Sequence, residues 1–183
     1  MDNWKKCTLS DICDITSSKR IFAHEYRTHG IPFYRGKEII EKQSGKPISN
    51  ELFIEESRFN ELKTKHGAPL PGDIILTSVG TLGIPYVVQK ERFYFKDGNL
   101  TWLRNFRNAS SQFIYYWLLS PSGHHQIESK SIGSTQRALT IDALLSFIID
   151  LPPIEVQLKI VNILSSLDNK IAVNTKINHH LAA

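Results

Sequence analysis

Two glycine-bearing stretches hold the side chains best suited to chemistry, Ser78-Val-Gly-Thr-Leu-Gly83 and Ser131-Ile-Gly-Ser-Thr-Gln-Arg137. Glycines at 80 and 83 allow backbone N–H groups to approach a phosphate closely, and Ser78 and Thr81 add hydroxyls. Gln136 has the paired donor and acceptor that read adenine at two points, and Arg137 can read guanine or clamp a phosphate. Two basic pairs, Lys19-Arg20 and Arg35-Gly36-Lys37, sit in similarly polar, turn-rich segments. Any one of these residues fits ordinary turn chemistry. Four basic or amide-rich loops on one body point to binding of a polyanion.

Catalysis finds less support. A nuclease core needs clustered carboxylates and a lysine around a metal. Asp73 precedes an apolar run as the first acid of such a core would, but Val88-Gln89-Lys90 stand where the second is needed. Leu151-Pro-Pro-Ile154 has the two prolines of an amino-methyltransferase motif without its polar and aromatic ends. Gly80 to Gly83 leads into a segment containing Pro85, not the helix that a nucleotide-binding glycine loop requires. The histidine pairs His124-His125 and His179-His180 are adjacent in sequence, which suits surface or cap roles better than a shared metal. No metal site and no catalytic residue is expected.

The positioning elements follow from apolar spacing and turn residues. The 183 residues are 41% hydrophobic and 22% charged, with 22 Lys and Arg against 18 Asp and Glu, the balance of a soluble, mildly basic globular protein. No apolar run would cross a bilayer and none resembles a signal peptide, so a cytoplasmic location is expected, with Cys7 and Cys13 as reduced core thiols. Residues 4–15 read as a strand leading into a helical turn with Ser10 as N-cap. Residues 31–34 read as a strand followed by a loop from Arg35, and residues 51–65 as partly helical, burying Leu52, Phe59 and Leu62. Strands are expected over 74–77, 84–89 and 100–103, with Asp97-Gly98 as a hairpin-type turn. A helix over 110–120 should turn Phe113, Tyr116, Trp117 and Leu119 inward. A helical turn from Thr140 and a strand through Ile149 complete the globular part.

Beyond the double proline the pattern changes. Ile160, Ile163, Leu164, Leu167, Ile171, Ile177 and Leu181 recur at spacings of three and four, as in an amphipathic or coiled-coil helix. Asn174 falls at a seam position, where a polar residue fixes register and partner. Periodicity alone leaves two destinations for this stripe, the protein's own core or a partner. The expected class is α+β, a β-rich globular domain followed by a long C-terminal α-helix of coiled-coil type.

Taken in order, W-K-K-C-T-L-S-D-I-C-D-I, I-P-F-Y-R-G-K-E-I, P-G-D-I-I-L-T-S-V-G-T-L-G, I-G-S-T-Q-R-A-L-T and L-P-P-I-E-V-Q-L-K-I-V-N-I-L-S-S-L-D-N-K-I resemble the specificity (S) subunit of type I restriction–modification systems. The likeness covers one target-recognition domain and one long helix, about half of a usual subunit. It implies a DNA-binding domain over residues 1–151 and a helix over 152–183 for dimerisation, spacing and methyltransferase docking. Lys19, Arg20, Arg35, Lys37, Ser78, Thr81, Gln136 and Arg137 become candidates for DNA contact. The partners it implies are double-stranded DNA, a methyltransferase (M) subunit and, through it, a restriction (R) subunit, with no membrane. This chain would bind no cofactor of its own; S-adenosylmethionine, ATP and Mg would serve the partner subunits. A half-size subunit would pair with itself through Ile160, Ile163, Leu164, Leu167, Ile171, Asn174 and Ile177 and read inverted half-sites. The alternatives are a stand-alone nuclease and a helix-mediated assembly or regulatory protein that binds the methyltransferase without reading DNA.

Overall fold

The computed structural model describes residues 4–181, with side chains described through residue 178. The expected packing of Leu181 and the roles of His179 and His180 therefore lie outside the described side chains. In chain order the elements are β1 (Lys5–Thr8), α1 (Leu9–Ile12), β2 (Asp14–Thr16), β3 (Ile31–Tyr34), α2 (Gly36–Gln43), β4 (Phe53–Ile54) and α3 (Glu56–His66). They continue with β5 (Ile74–Thr77), β6 (Pro85–Val87), β7 (Tyr94–Phe95), β8 (Leu100–Arg104), α4 (Ser111–Leu119), α5 (Pro121–Lys130), α6 (Ile141–Leu145), β9 (Ile148–Leu151) and α7 (Ile154–Leu181). The class is α+β with a long C-terminal helix, as the sequence predicts.

Three small sheets divide the strands. The largest has the order β2-β8-β5-β6 and is antiparallel throughout; β4-β3-β7 is mixed, with β3 and β7 parallel. The third sheet pairs β1 with β9, placing Lys5 opposite Leu151. That pairing ties the start of the globular part to its end, just before Pro152 turns the chain into α7. The main apolar core lies between this ribbon, β5, β8, α4, α5 and α6, around Leu9, Leu103, Ile114, Leu144 and Phe147. Cys7 and Cys13 are buried free thiols in it, and burial pushes the Cys13 thiol up to about 12.

Several local expectations are corrected. Thr8, not Ser10, opens α1, because the Asp11 carboxylate accepts from both its N–H and its hydroxyl. Arg35 is the N-cap of α2 instead of a loop residue: Glu38 three positions on accepts from the Arg35 N–H at 2.8 Å. Asp97-Gly98 closes no hairpin, since β7 pairs with β3 and β8 with β2 and β5; the turn carries the chain between sheets. In α4 the inner face is Phe113, Ile114 and Leu118, while Tyr116, Trp117 and Leu119 are half-buried. α5 is unforeseen, although Ser120 accepting from the Gly123 N–H, with Pro121 at the first position, is an ordinary helix start.

Candidate nucleic-acid interface

The antiparallel order of the four-stranded sheet sends one set of connections to a single end. β2 finishes there at Thr16, β5 at Thr77, and β8 and β6 begin there at Leu100 and Pro85. The segments 17–22, 96–99 and 78–84 therefore emerge side by side. Hydrogen bonds hold them together. Ser18 Oγ donates to the Phe95 carbonyl at 2.7 Å, and Ser78 N–H to the Asn99 carbonyl at 2.9 Å. The second glycine loop joins the row through Leu139 N–H to Ser78 O at 2.8 Å and Gly80 N–H to Arg137 O at 3.0 Å. Lys96 N–H donates to Tyr34 O, which brings the start of α2 to the same neighbourhood.

The row gathers most of the candidate residues but gives them different tasks. Lys19, Thr81 and Gln136 are exposed. Arg20 is two-thirds exposed and steadied by Asp97 at 2.9 Å, a surface pair that leaves its guanidinium accessible. Lys37 projects from the first turn of α2, 3.8 Å from Glu41.

Three candidates are bound up in the scaffold. Ser78 is 3% exposed, so its hydroxyl does not offer itself at the surface. Arg35 holds both oxygens of Glu38, itself fully buried, and that pairing raises the Arg35 pKa further. Arg137 binds the Glu128 carboxylate at 2.6 Å, the Glu128 carbonyl at 3.2 Å and the Ser131 hydroxyl at 2.5 Å. It thus caps the C-terminus of α5, where orphan carbonyls favour a cation, and fixes the loop that presents Gln136.

The N–H groups of Gly80 and Gly83 themselves are not free for a phosphate. The Gly80 N–H is spent on Arg137 O and the Gly83 N–H on Thr77 O at 2.8 Å. Both glycines instead serve backbone shape, with φ of 79° and 75°. At Gly83 a Cβ would also stand 2.6 Å from Ile127 Cδ1 of α5. Lys96, half-buried in the row, is not among the sequence candidates.

Asp73 lies at the opposite end of β5 from this row. Its carboxylate is buried, accepting from Leu70 N–H at 2.9 Å and Trp102 Nε1–H at 2.8 Å. Burial raises its pKa against those two hydrogen bonds. Both bonds fall on Oδ2 and stabilise the turn before β5; among the described residues no group of three or more His, Cys, Asp or Glu could hold a metal ion. No helix among them is long and apolar enough to cross a membrane.

The base of α7 is fixed to the globular part. Gln157 is fully buried; its Oε1 accepts from Ser110 N–H at 2.8 Å, and its Nε2 donates to Pro152 O at 2.8 Å and Asn108 O at 3.3 Å. Ile160 and Val161 pack against the main core, and Tyr116 Oη donates to Asp168 Oδ2 at 2.7 Å. Past that point every residue from 169 to 178 is exposed. A groove of about 1010 Å³ opens between α7, α4 and the turn at residues 43–47, with Leu164, Ile171 and Thr175 on its helix side.

The fold and the sequence both have counterparts. An S subunit from M. genitalium (TM-score 0.65, 19% identity) and the HsdS subunit from Thermoanaerobacter tengcongensis (TM-score 0.64, 22% identity) each match 93% of this chain. The match takes up 40% and 38% of those two chains. A protein of Haemophilus influenzae named as a type I restriction enzyme specificity subunit is 30% identical over 168 residues, 90% of this chain and 40% of that protein. The chain thus spans about two-fifths of the length of the relatives it matches. The profile of the type I restriction modification DNA specificity domain matches residues 1–183, and the chain belongs to that family.

Proposed function

We propose that this chain is a non-catalytic recognition subunit, or part of one, that reads one half of a bipartite double-stranded DNA target. The observation that carries this reading is the row of loops at one end of the four-stranded sheet, where Lys19, Arg20, Thr81 and Gln136 are presented together. Lys19 and Arg20, with Lys37 nearby, supply attraction to phosphates, and Gln136 and Thr81 supply polar contacts for base edges. Arg35, Ser78 and Arg137 hold the loops that carry them.

On this reading residues 1–151 form the DNA-reading domain and residues 152–183 the spacer and docking helix. One domain contacts few bases, and each two-point contact gives only about 1–3 kcal/mol of discrimination. A second domain on a rigid spacer turns weak half-site binding into a bivalent event. The exposed stripe of α7 carries that second domain, as another copy in a two-fold dimer. The same helix docks an adenine methyltransferase subunit, which brings S-adenosylmethionine, and through it a restriction subunit that uses ATP and Mg. Such an assembly works in the cytoplasm. A homodimer would recognise inverted, identical half-sites.

The decisive experiment is co-expression with the methyltransferase followed by mapping of modified adenines, which should return one gapped, two-fold symmetric motif. Binding of the complex to that motif should weaken in Lys19→Ala, with the slope of log affinity against log salt falling by about 1. Gln136→Ala should relax one base position while leaving the slope unchanged. Methylation without sequence preference, or equal salt slopes for all three proteins, would count against the loops as the reading surface.

A further inference from the structure

Two polar contacts bracket the apolar packing of Ile160 and Val161 where α7 leaves the domain. The inner one is Gln157, buried and saturated at the first turn. The outer one is the hydrogen bond from Tyr116 of α4 to Asp168, 11 residues or about 16 Å further along the helix. Asp168 stands as a strut between two openings. On one side is a cleft of about 170 Å³ that it lines with Lys42, Gln112 and Tyr115; on the other is the groove of about 1010 Å³. Leu167 beside it is 51% exposed and Ile171 63% exposed, so apolar packing ends at half-buried Leu164, one turn before the strut.

The lever geometry gives this contact its weight. From Gln157 to Leu181 the helix runs about 36 Å at 1.5 Å per residue. A tilt of about 5° about Gln157 moves the far end by about 3 Å, close to the rise of about 3.4 Å per base pair along the DNA axis. We propose that Tyr116 and Asp168 are positioning residues that fix the tilt of α7 on the globular domain, and so fix which spacer length between two half-sites the assembled protein accepts. The spacing clause rests on the proposed reading of the chain as a half-site reader; the tilt clause does not. The bond is on the surface, where a single hydrogen bond adds little to overall stability, so its loss should alter direction without unfolding the domain.

The test uses the full chain with spin labels at Lys63→Cys on α3 and Val173→Cys on α7, diluted in unlabelled chain so that only distances within one chain are read. Buried Cys7 and Cys13 leave the two introduced thiols as the labelled sites. Tyr116→Phe and Asp168→Ala should each broaden the distance distribution with the melting temperature unchanged. The double variant should add nothing, and Asp168→Asn, which keeps an acceptor oxygen, should restore most of the order. In cells with the methyltransferase, a target library varying only the spacer should show Tyr116→Phe methylating sites one base pair shorter and longer to within about tenfold of the preferred one, with the half-site bases unchanged. An unaltered distance distribution in Tyr116→Phe overturns the proposal, as does a broadened one with an unaltered spacer profile. If the unmutated protein methylates no member of the library, the DNA-reading function is what fails, and the distances alone then decide the strut.

Discussion

The two halves of α7 share one apolar stripe and meet different fates. Residues 154–168 carry a buried glutamine, half-buried Ile160, Val161 and Leu164, and a polar tie to α4. Residues 169–178 touch solvent throughout, although Ile171, Val173 and Ile177 are as apolar as anything in the first half. Helical spacing also separates two faces, which run through both halves. At about 100° per residue, Gln157, Val161, Leu164 and Asp168 share one face, and that face meets the domain. Ile163, Leu167, Asn174 and Ile177, with Lys170 between them, share another face, about a third of a turn away, at the alternating four and three spacing of a coiled-coil seam. The first face serves folding, and the second is the one that the proposed function gives to a partner.

Charge on the second face should have the largest effect. Ile163→Asp with Leu167→Asp places two carboxylates in the seam, and in the proposed homodimer each copy contributes both. Light scattering should show a dimer for the unmutated chain and a monomer for the double variant, with association weakened by more than about a hundredfold. Unfolding in urea of the monomeric variant should match that of the unmutated protein diluted below its dissociation constant. If the unmutated chain is a monomer at every concentration, the seam belongs to another partner or to a second helix of a longer chain. If the variant loses stability as a monomer, the separation of the two faces is wrong.

Gln157→Ala acts on the first face alone and should rank second. It strands the Ser110 N–H and the Pro152 carbonyl, each formerly satisfied inside the protein, at a cost of about 3 kcal/mol in total. Urea unfolding should report that loss, while dimerisation of the remaining folded protein stays intact. A loss below about 1 kcal/mol would mean that water replaces the amide and that the inner fixation of α7 is loose.

The contrast also marks how far the sequence can be read. Periodicity alone reveals a helix from the double proline onward, and the seam position of Asn174 is visible in the spacing. The face that turns inward is invisible, because it depends on Ser110 and Tyr116 being brought beneath α7 by the closure of β1 on β9 across nearly the whole domain. The loops behave likewise. Lys19, Arg20 and Gln136 stand out by type and by the turns around them, but their convergence depends on the strand order β2-β8-β5-β6. Arg35 and Arg137 look like free cations in the sequence. Glu38 lies three residues from Arg35 and could have been paired with it on a helix, whereas Glu128 reaches Arg137 only because α5 ends where the loop turns back. The unforeseen α5 hid that partner.

The smallest predicted effect is the most specific test of the seam. Asn174 sits one heptad beyond Leu167 and three residues before Ile177, exposed in the single chain. In an antiparallel pair of seams a buried amide lowers affinity and discourages other registers and stoichiometries. Asn174→Ile should therefore tighten association by about tenfold, or about 1.4 kcal/mol, while sedimentation reveals species larger than a dimer. Monomer stability should not change, because this position is exposed and a substitution there stays within about 0.5 kcal/mol. Unchanged affinity with a uniform dimer would place Asn174 outside the interface and move the seam toward Leu164 and Ile171, the face that looks into the groove. Tighter association with one stoichiometry would leave the seam in place and assign the choice of register to Lys170, which occupies the intervening heptad position.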